Sequence, residues 1–475
     1  MKQKMFEISR DNRENQEALR GASVAVLGAA RSGIGLADLL ANVGARVLLS
    51  DRKSRPAVTD RLDWLEQRGV KMEFGGHSAK VLGSDLICIS PGIPLTIPIL
   101  LEAQERRIPI LGELEVASWF CSAPIIGITG SNGKTTTTEL TGEIFKQHFK
   151  KALVGGNIGT PLAREIQFNP HAEIIILEIS SFQLETIANF HPHIAVIMNL
   201  SPNHLDRYPD YESYVAAKLQ ILRNMDETDI LIYSADDDFL HRRVVDSKPQ
   251  KIPFSISRDL KSGAFWKDDT IHIQWKEYQE QIPVKRTLLR GPHNRYNMTV
   301  AALLSVLEGV PPETITGVLE NFPGVEHRLE AVRTIDGVQF VNDSKGTSVA
   351  ALGFALRSFT EPIVLITGGK DKGGDFSELN ELLKKYARAI VVIGEAARRM
   401  KEAWKAVLPV YDAASLEDAV NTARKLAGAG DVVLLSPACS SFDMFRDYED
   451  RGRQFKMIVK NIKNHSGKLY NLIAW

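Results

Sequence analysis

One segment of the sequence has the residue types and spacing of a phosphate-binding loop. The apolar residues 124–129 predict a strand that runs into the string GSNGKTT, residues 130–136, ahead of a segment with helical periodicity. Glycines let backbone N–H groups approach phosphate oxygens, and the helix that follows presents its positive end to an anion. Lys134 would neutralise the phosphates of a nucleotide, and Thr135 would reach its Mg²⁺ ion. The common pattern has a glycine where this chain has Ile128, so the loop is a variant with Gly130 instead.

Two later strands end in side chains that could hold a metal ion beside bound phosphates. Residues 174–177 are all apolar and are followed by Glu178, and the predicted strand 194–199 leads to His204. The carboxyl ends of parallel strands meet at one edge of a sheet, so we expect both side chains near the glycine-rich loop. Two simpler interpretations stay open, namely that Glu178 caps the next helix and that His204 is structural.

The elements that position these residues follow an α/β rhythm. Short apolar runs alternate with helical segments along all 475 residues, which predicts largely parallel sheets and about three domains. We predict a Rossmann-like domain over 1–112, a central P-loop ATPase domain with a mostly parallel sheet over 113–323, and a Rossmann-like domain over 324–475. The predicted strands are 23–28, 46–50, 85–90, 124–129, 174–179, 194–199, 362–367, 389–393 and 432–435, the predicted helices are 33–43 and 293–308, and a short antiparallel meander is expected within 254–289.

Composition excludes several classes of function. Lysine plus arginine and aspartate plus glutamate each number 58, so there is no broad basic field for nucleic acid or an acidic membrane. Residues 1–16 lack the apolar segment of a signal peptide, and no run of about 18 apolar residues occurs. Cys88, Cys121 and Cys439 lack metal-ligand spacing and are typical of buried thiols in a reducing compartment. We therefore predict a cytoplasmic protein with no nucleic-acid partner and no membrane insertion.

Nine segments of the sequence, in order, resemble the Mur ligases of peptidoglycan synthesis. They are TGSNGKT (129–135), GGNIG (155–159), EISSFQ (178–183), NHLDR (203–207), AK (217–218), GPHN (291–294), HRLE (327–330), NDSK (342–345) and LSPAC (435–439). The resemblance covers nearly the whole chain, and the shorter glycine spacing of the phosphate loop is the one that this family uses. Residues 342–347 resemble the branch that adds D-glutamate, although Gly346 stands where the family has alanine.

The resemblance implies an ATP-dependent ligase that joins D-glutamate to UDP-N-acetylmuramoyl-L-alanine through an acyl phosphate. A carboxylate and an amine cannot form an amide without a better leaving group, which is why ATP must act first. The resemblance further implies ATP and two Mg²⁺ ions as cofactors and a carbamate on Lys218. The partners would be the three small-molecule substrates, and the enzyme would be a cytoplasmic monomer that serves cell-wall biogenesis, cell shape and cell division.

The resemblance also assigns roles to individual residues. Catalytic roles fall to Lys134, His204, Lys218 and Asp343. Nucleotide contacts fall to Gly130, Ser131, Asn132, Gly133, Lys134, Thr135, Thr136, Asn294, Arg328 and Asp343. Metal ligation falls to Thr135, Glu178, His204 and Lys218, because a carbamate would be an anion where an ammonium would repel the ion. Substrate contacts fall to Ser32, Arg52, Lys53, Ser90 and Gly92 for the uridine nucleotide, to Asn157 and His204 for the muramoyl-alanine portion, and to Lys345, Thr347, Lys372, Ser441 and Tyr448 for the amino acid.

Other interpretations of the same residues remain. Without the resemblance, Lys218 would be a helix-surface lysine and Lys372 a solvated loop lysine. A nicotinamide-dependent oxidoreductase would use Asp51 beyond the first turn, but the turn over 28–33 lacks the central glycine of that motif. A non-catalytic P-loop switch leaves the segments around His204, Lys218 and Asp343 unexplained. Another Mur-type ligase or a folylpolyglutamate synthase shares the chemistry, and the chain lacks folate-type motifs.

Overall fold

Parallel strands joined by helices form three separate sheets, as the alternating sequence pattern predicts. The computed structural model of the protein describes residues 6–55, 60–204, 207–289, 291, 293–371 and 373–463. Within them every predicted strand and helix is present, with ends that shift by one or two residues. The expected mixed α/β fold with mostly parallel sheets is confirmed.

The amino-terminal sheet has five parallel strands in the order β3-β2-β1-β4-β5. Its elements are α1 Asn12–Leu19, β1 Ser23–Leu27, α2 Arg31–Asn42, β2 Arg46–Asp51, α3 Asp60–Gln67, β3 Lys71–Phe74, a 3₁₀ turn Ala79–Gly83, β4 Leu86–Ile89, α4 Pro98–Glu105 and β5 Ile110–Gly112. β1 lies at the centre of this sheet with four of its five residues buried, as expected where helices cover both faces of a parallel sheet. Helix α2 begins two residues earlier than predicted, so Ser32 lies inside its first turn and not before it.

The central sheet has nine strands in the order β14-β13-β12-β11-β10-β9-β6-β8-β7. Its elements are α5 Glu113–Ser118, β6 Ile125–Thr129, α6 Lys134–His148, β7 Ala152–Gly156, α7 Leu162–Phe168, β8 Ile174–Glu178, α8 Ser181–Leu184, β9 Ile194–Ile197, α9 Tyr211–Leu219, a 3₁₀ turn Gln220–Leu222, β10 Ile230–Ser234, α10 Asp238–Val244, β11 Gln250–Ser255, β12 Gly263–Lys267, β13 Thr270–Trp275, β14 Tyr278–Pro283, α11 His293–Leu307 and α12 Pro312–Asn321. The strands from β12 to β7 pair in parallel, whereas β12, β13 and β14 form the expected antiparallel meander. β6 and β8 are buried along their whole length, and because they pair in parallel the residues that follow them lie at the same edge of the sheet.

The carboxyl-terminal sheet has six strands in the order β15-β16-β20-β17-β18-β19. Its elements are β15 Glu330–Ile335, β16 Val338–Asn342, α13 Val349–Leu356, β17 Ile363–Gly368, a 3₁₀ turn Phe376–Leu379, α14 Asn380–Tyr386, β18 Ala387–Ile393, α15 Ala397–Trp404, β19 Val410–Asp412, α16 Leu416–Leu426, β20 Val432–Leu435 and α17 Tyr448–Asn461. Only the β15–β16 pair is antiparallel among the pairs of this sheet in the described residues. β17 is buried throughout and lies between β20 and β18.

The chain divides into two compact units, which are residues 1–285 with 295–320, and residues 286–294 with 321–475. In the first unit, the amino-terminal and central sheets share one hydrophobic cluster, in which α2 packs against α5 and α7. The second unit has apolar clusters on both faces of its own sheet. The limits of the three predicted domains therefore stay a prediction.

The thiols lie where the composition predicts. Cys88 and Cys439 are buried, Cys121 is partly buried, and all three are free cysteines. Burial raises the pKa of each of the two thiols in the first unit, Cys88 and Cys121. No helix in the described part of the chain is both long and apolar enough to cross a bilayer.

Candidate active site

The glycine-rich loop between β6 and α6 has the backbone conformation that only its glycines favour. Gly130 and Gly133 have φ angles of 141° and 86°, in a region that disfavours residues with a side chain. A Cβ atom on Gly130 would also lie 2.9 Å from Cβ of Met198. The Lys134 ammonium donates hydrogen bonds to the carbonyls of Gly130 (2.8 Å) and Ser131 (3.0 Å), so its charge lies over the loop. Helix α6 begins at this lysine, which directs the positive end of the helix at the same point.

The segment after β9 fixes the shape of the loop. The backbone N–H of Ser131 donates to the carbonyl of Asn199 (3.0 Å), and that of Asn132 donates to Asn199 Oδ1 (2.9 Å). The Ser131 hydroxyl donates to the carbonyl of Ser201 (2.9 Å), and the N–H of Ser201 donates back to that hydroxyl (2.9 Å). The loop is thus held in one conformation by the segment that continues to His204.

The side chains of Thr135 and Thr136 are buried in the first turn of α6. Thr135 therefore lies at the end of the helix where a phosphate-bound metal ion would be expected.

Glu178 ends β8 as a buried carboxylate and does not cap the next helix. Ser180 caps α8 in a reciprocal arrangement with Gln183, so the capping interpretation of Glu178 is wrong. The Asn157 side-chain amide donates to Glu178 Oε1 (2.7 Å), and the Asn157 backbone N–H donates to the carbonyl of the same glutamate (2.8 Å). Two predicted site residues, one directly after β7 and one at the end of the neighbouring β8, are thereby joined.

Lys218 is buried on α9 and is not a helix-surface lysine. Its side chain retains 2% or less of its exposure, and Nζ lies 4.8 Å from the centre of the Tyr214 ring. No carboxylate among the described residues lies within 4.0 Å of this ammonium. Burial lowers the pKa of Lys218 well below its ordinary value, the charge of Lys134 lowers it further, and the charge of Glu178 opposes both. These surroundings therefore favour the neutral amine over the ammonium.

His204 lies in the same aromatic neighbourhood, in an exposed position and with a left-handed backbone (φ 55°). Its ring centre is 4.9 Å from that of Phe182 and 6.2 Å from that of Tyr214. Its backbone N–H donates to Asn203 Oδ1 (2.9 Å). Within the described residues, no group of three or more His, Cys, Asp or Glu side chains is arranged to hold a metal ion.

Tyr214 joins these parts and was not predicted from the sequence. Its hydroxyl lies 3.0 Å from Ser131 Oγ of the loop, while its ring contacts Lys218 and faces His204. Burial raises its pKa to about 12, so the phenol is protonated at neutral pH. The signal for it was its spacing of four residues from Lys218, which places both side chains on one face of a helix. The phosphate loop, Glu178, His204 and Lys218 therefore lie together at one edge of the central sheet.

The predicted uridine-nucleotide residues surround the first turn of the amino-terminal sheet. Gly28 has a φ angle of 96°, and its carbonyl accepts a hydrogen bond from the buried hydroxyl of Ser90 (3.3 Å). A Cβ atom on Gly33 would overlap that same carbonyl, which explains the glycine at the start of α2. Ser32 is partly buried beside it, and Gly92 is exposed.

The acid that ends β2 supports the turn instead of presenting a free carboxylate. Asp51 Oδ2 accepts the N–H of Ala29 (2.6 Å) and Oδ1 accepts the N–H of Lys53 (2.8 Å). The side chains of Arg52 and Lys53 are exposed next to it. Both oxygens of Asp51 thus hold the turn, and this structural role explains the acid without a bound dinucleotide.

In the second unit, Asp343 lies at the end of β16 as a buried carboxylate. Its Oδ2 accepts the Ser436 hydroxyl (2.7 Å) and its Oδ1 accepts the N–H of Leu329 (3.4 Å). Burial raises its pKa to about 6, against the opposing effects of Ser436 and the charge of Arg328. A Cβ atom on Gly346 would overlap Asp343 Oδ2, so the glycine that replaces the family alanine is what leaves room for this carboxylate.

The predicted amino-acid residues lie after β16 and β20. The Lys345 ammonium is 5.6 Å from the ring centre of Tyr448, the first residue of α17. Ser441 is buried, and its carbonyl caps the following turn. The backbone N–H of Thr347 donates to the carbonyl of Lys345 (2.9 Å). Lys372 lies outside the described residues.

Asn294, the predicted adenine-side residue, is buried at the start of α11. Its backbone N–H donates to the carbonyl of Gly291 (3.1 Å), and its side-chain amide is 3.4 Å from His293 Nε2. Burial lowers the pKa of His293 to about 4, and the charge of Arg328 adds to this effect, so the imidazole is neutral at pH 7.

Comparison with protein families matches most of the chain. Residues 22–112 match the model described as Mur ligase MurD-like, N-terminal domain, residues 128–305 match the Mur ligase middle domain, and residues 327–439 match the Mur ligase glutamate ligase domain. A UDP-N-acetylmuramoylalanine–D-glutamate ligase from Salinibacter ruber is 40% identical over 458 residues, which cover 94% of this chain and 99% of that protein. The ligase of the same name from Koribacter versatilis is 43% identical over 452 residues, or 95% of this chain and all of that one.

Solved structures share the fold. The UDP-N-acetylmuramate-alanine ligase from Thermotoga maritima superposes with a TM-score of 0.60 at 18% identity, over 93% of this chain and 100% of that chain. A MurF ligase from the same organism, solved in complex with ADP, gives a TM-score of 0.56 at 17% identity, over 94% and 97% of the two chains.

Proposed function

The chain belongs to the Mur ligase family, and on this premise we propose that it joins D-glutamate to UDP-N-acetylmuramoyl-L-alanine with ATP as the energy source. The observation that carries the proposal is the convergence of four sequence motifs at one edge of the central sheet. The phosphate loop, His204 and Lys218 each neighbour Tyr214, and the charge of Glu178 acts on Lys218.

The proposed reaction has two steps. A carboxylate oxygen of the muramoyl-alanine attacks the γ-phosphorus of ATP, so an acyl phosphate forms and ADP leaves. The amine of D-glutamate then attacks the acyl carbon, loses a proton and expels inorganic phosphate. Lys134 and the positive end of α6 would offset the negative charge that gathers where the phosphates and the carboxylate meet.

The residues present fit a Mg²⁺ ion that shares its coordination with phosphate. Mg²⁺ in nucleotide enzymes is usually held by one or two carboxylates together with phosphate oxygens and waters. Glu178 offers the carboxylate, Thr135 the hydroxyl at the helix start, and His204 an imidazole from the neighbouring segment. When bound, the ion would neutralise phosphate charge and favour the leaving group. Glu178 is held for this role by its hydrogen bond from Asn157.

We further propose that Lys218 carries a carbamate. The free amine adds to CO₂, a new N–C bond forms, and one proton leaves. The burial of Lys218 and the nearby charge of Lys134 favour the neutral amine that this addition needs. The product is an anion, and the same Lys134 charge would then stabilise it. A carbamate could hold a second Mg²⁺ ion, as an ammonium could not.

The other substrate and nucleotide contacts that the family resemblance implies are also part of this proposal. Ser32, Arg52, Lys53, Ser90 and Gly92 would contact the uridine nucleotide, Asn157 and His204 the muramoyl-alanine portion, Asn294, Arg328 and Asp343 the nucleotide ATP, and Lys345, Thr347, Lys372, Ser441 and Tyr448 the amino acid. The domain limits at 1–112, 113–323 and 324–475 are proposed with them. ATP and UDP-sugars are cytoplasmic metabolites, so we place the reaction in the cytoplasm. Separately, we expect the enzyme to be a monomer, which light scattering would check.

Phosphate release is the direct test of the activity. The protein is incubated with ATP, Mg²⁺ and UDP-N-acetylmuramoyl-L-alanine, and each candidate amino acid is added in turn. Release that depends on D-glutamate, with a product of the corresponding mass, is expected. Release with L-alanine alone, or with a folate acceptor in place of the sugar nucleotide, would overturn the substrate assignment.

The carbamate has a separate test in Lys218→Ala. We expect this variant to lose activity and to regain part of it when a short carboxylate such as formate or acetate is added, because the anion can occupy the space of the carbamate. A fully active variant, or an inactive one that no carboxylate restores, would refute the carbamate and leave the ligase assignment in place.

A further inference from the structure

A buried arginine at the start of α17 gives all its hydrogen bonds to the ends of three strands. Arg451 has no exposed surface, and its Nε donates to the Ser344 hydroxyl (3.0 Å). Nη2 donates to the carbonyls of Ser344 (2.9 Å) and Cys439 (3.2 Å). Nη1 donates to the carbonyls of Gly368 (3.5 Å) and Ser440 (3.4 Å). The planar guanidinium therefore joins the segments after β16, β17 and β20.

The residues that Arg451 holds are chain neighbours of the predicted amino-acid site. Ser344 lies between Asp343 and Lys345, and Ser440 directly precedes Ser441. The Ser344 hydroxyl accepts from Arg451 Nε and donates to the carbonyl of Tyr448 (2.8 Å), so it extends the network to the start of α17. A shift of the guanidinium would therefore be transmitted to side chains from three separate segments of the chain.

Arg451 forms no close ion pair within the described part of the chain. Among the described residues no carboxylate lies within 4.0 Å of its guanidinium, and its acceptors are carbonyls and one hydroxyl. Burial lowers its pKa to about 10, against the opposing charges of Asp443 and Asp343, so the group stays positive at neutral pH and also offsets the charge of these two carboxylates. A buried positive charge below the carboxyl ends of parallel strands favours an anionic ligand at that edge.

We propose that Arg451 is a positioning residue for the amino-acid substrate, which fixes the three strand ends and supplies a positive field for a dicarboxylate. This inference rests on the proposed function, because it takes D-glutamate as the ligand of this unit. Arg451 touches no substrate itself. It acts through Ser344 and the carbonyls of residues 439 and 440.

Steady-state kinetics of Arg451→Lys test the proposal. Lysine keeps the charge but cannot make five planar hydrogen bonds, so we expect KM for D-glutamate to rise about tenfold or more. KM for UDP-N-acetylmuramoyl-L-alanine, whose predicted contacts lie in the first unit, should stay within about twofold, which separates a positioning role from a general loss of structure. Ser344→Ala removes one acceptor while keeping Arg451, and a rise of about fivefold in KM for D-glutamate is expected.

Arg453 provides the matched control on the same helix. It is exposed and forms a 3.8 Å ion pair with Glu449, so Arg453→Lys should leave all three KM values unchanged. Unchanged kinetics in both Arg451→Lys and Ser344→Ala would overturn the proposal, as would an equal rise in the KM of every substrate. If Arg451→Lys does not fold, Ser344→Ala alone decides. A wild-type protein that releases no phosphate with D-glutamate would instead refute the proposed function.

Discussion

The substitution Asp343→Asn should stabilise the protein at alkaline pH. Burial raises the pKa of this carboxyl from 3.8 to about 6, so the folded state binds its proton more tightly than the unfolded chain does. Above about pH 6 the ionised carboxylate therefore destabilises the fold, by about 3 kcal/mol at 1.36 kcal/mol per pKa unit. The penalty fades as the pH falls through about 6 and vanishes below the unfolded-state value of 3.8. Asparagine removes the charge but leaves one amide hydrogen without an acceptor, which would take back about 1 kcal/mol.

Urea unfolding of the wild type and the variant at a series of pH values tests this reasoning. We expect Asp343→Asn to be more stable by about 2 kcal/mol at pH 8, to lose this advantage as the pH falls from about 6 to about 4, and to be less stable than the wild type by about 1 kcal/mol below that. The catalytic rate should fall at the same time, because the substitution removes the Asp343 carboxylate, and replacing a destabilising functional group commonly raises stability at the expense of activity. Asp412→Asn is the control, since this exposed side chain, paired with Lys401, should change stability by less than about 0.5 kcal/mol. A pH-independent difference, or a variant less stable than wild type at pH 8, would refute the buried-charge argument.

Three other changes have expected outcomes. Tyr214→Phe removes the hydroxyl 3.0 Å from Ser131 Oγ and keeps the ring, so it should reduce stability by about 1 kcal/mol and lower kcat, as unfolding and kinetics would measure. Gly346→Ala, although it restores the family residue, would place a Cβ atom against Asp343 Oδ2 and should reduce stability by about 1–3 kcal/mol in a thermal melt. Glu178→Gln keeps an acceptor for Asn157 but removes the negative charge, so a higher Mg²⁺ concentration should be needed for half-maximal rate; an unchanged Mg²⁺ dependence would contradict its proposed role as a ligand.

The sequence predicts the strands that are long, apolar and buried on both faces. β8 has four apolar residues in succession and is found within one residue of its predicted end. β7 is a strand of the same sheet, but two of its five residues are glycines, which disfavour strands and hide the pattern. β5 and β19 have three residues each, too few to show a period. Pairing with neighbours in the sheet, and not local preference, makes these segments strands.

Motif order predicts which residues gather at the phosphate loop but not how they are buried. Lys218 stands on a helix, and from the sequence alone a lysine there is a surface residue. It is buried because α9 turns that face towards the end of β8 and the phosphate loop, a tertiary fact that no local pattern contains. Once Lys218 is known to be buried, Tyr214 can be inferred as its neighbour, because it lies four positions earlier on the same face of the helix.

Buried charge is the feature that sequence patterns describe least and on which the proposed chemistry depends most. Lys218, Asp343 and Arg451 all lie near the carboxyl ends of parallel strands, and burial shifts the pKa of each towards its neutral form. The consequences differ because the partners differ. Burial and the charge of Lys134 favour the neutral form of the Lys218 amine, whereas the Arg451 guanidinium is surrounded by carbonyl acceptors and stays charged. The sequence shows which residue types are present, but the protonation of these three groups depends on how deeply they are packed. Measurements of stability and activity against pH therefore test the packing directly.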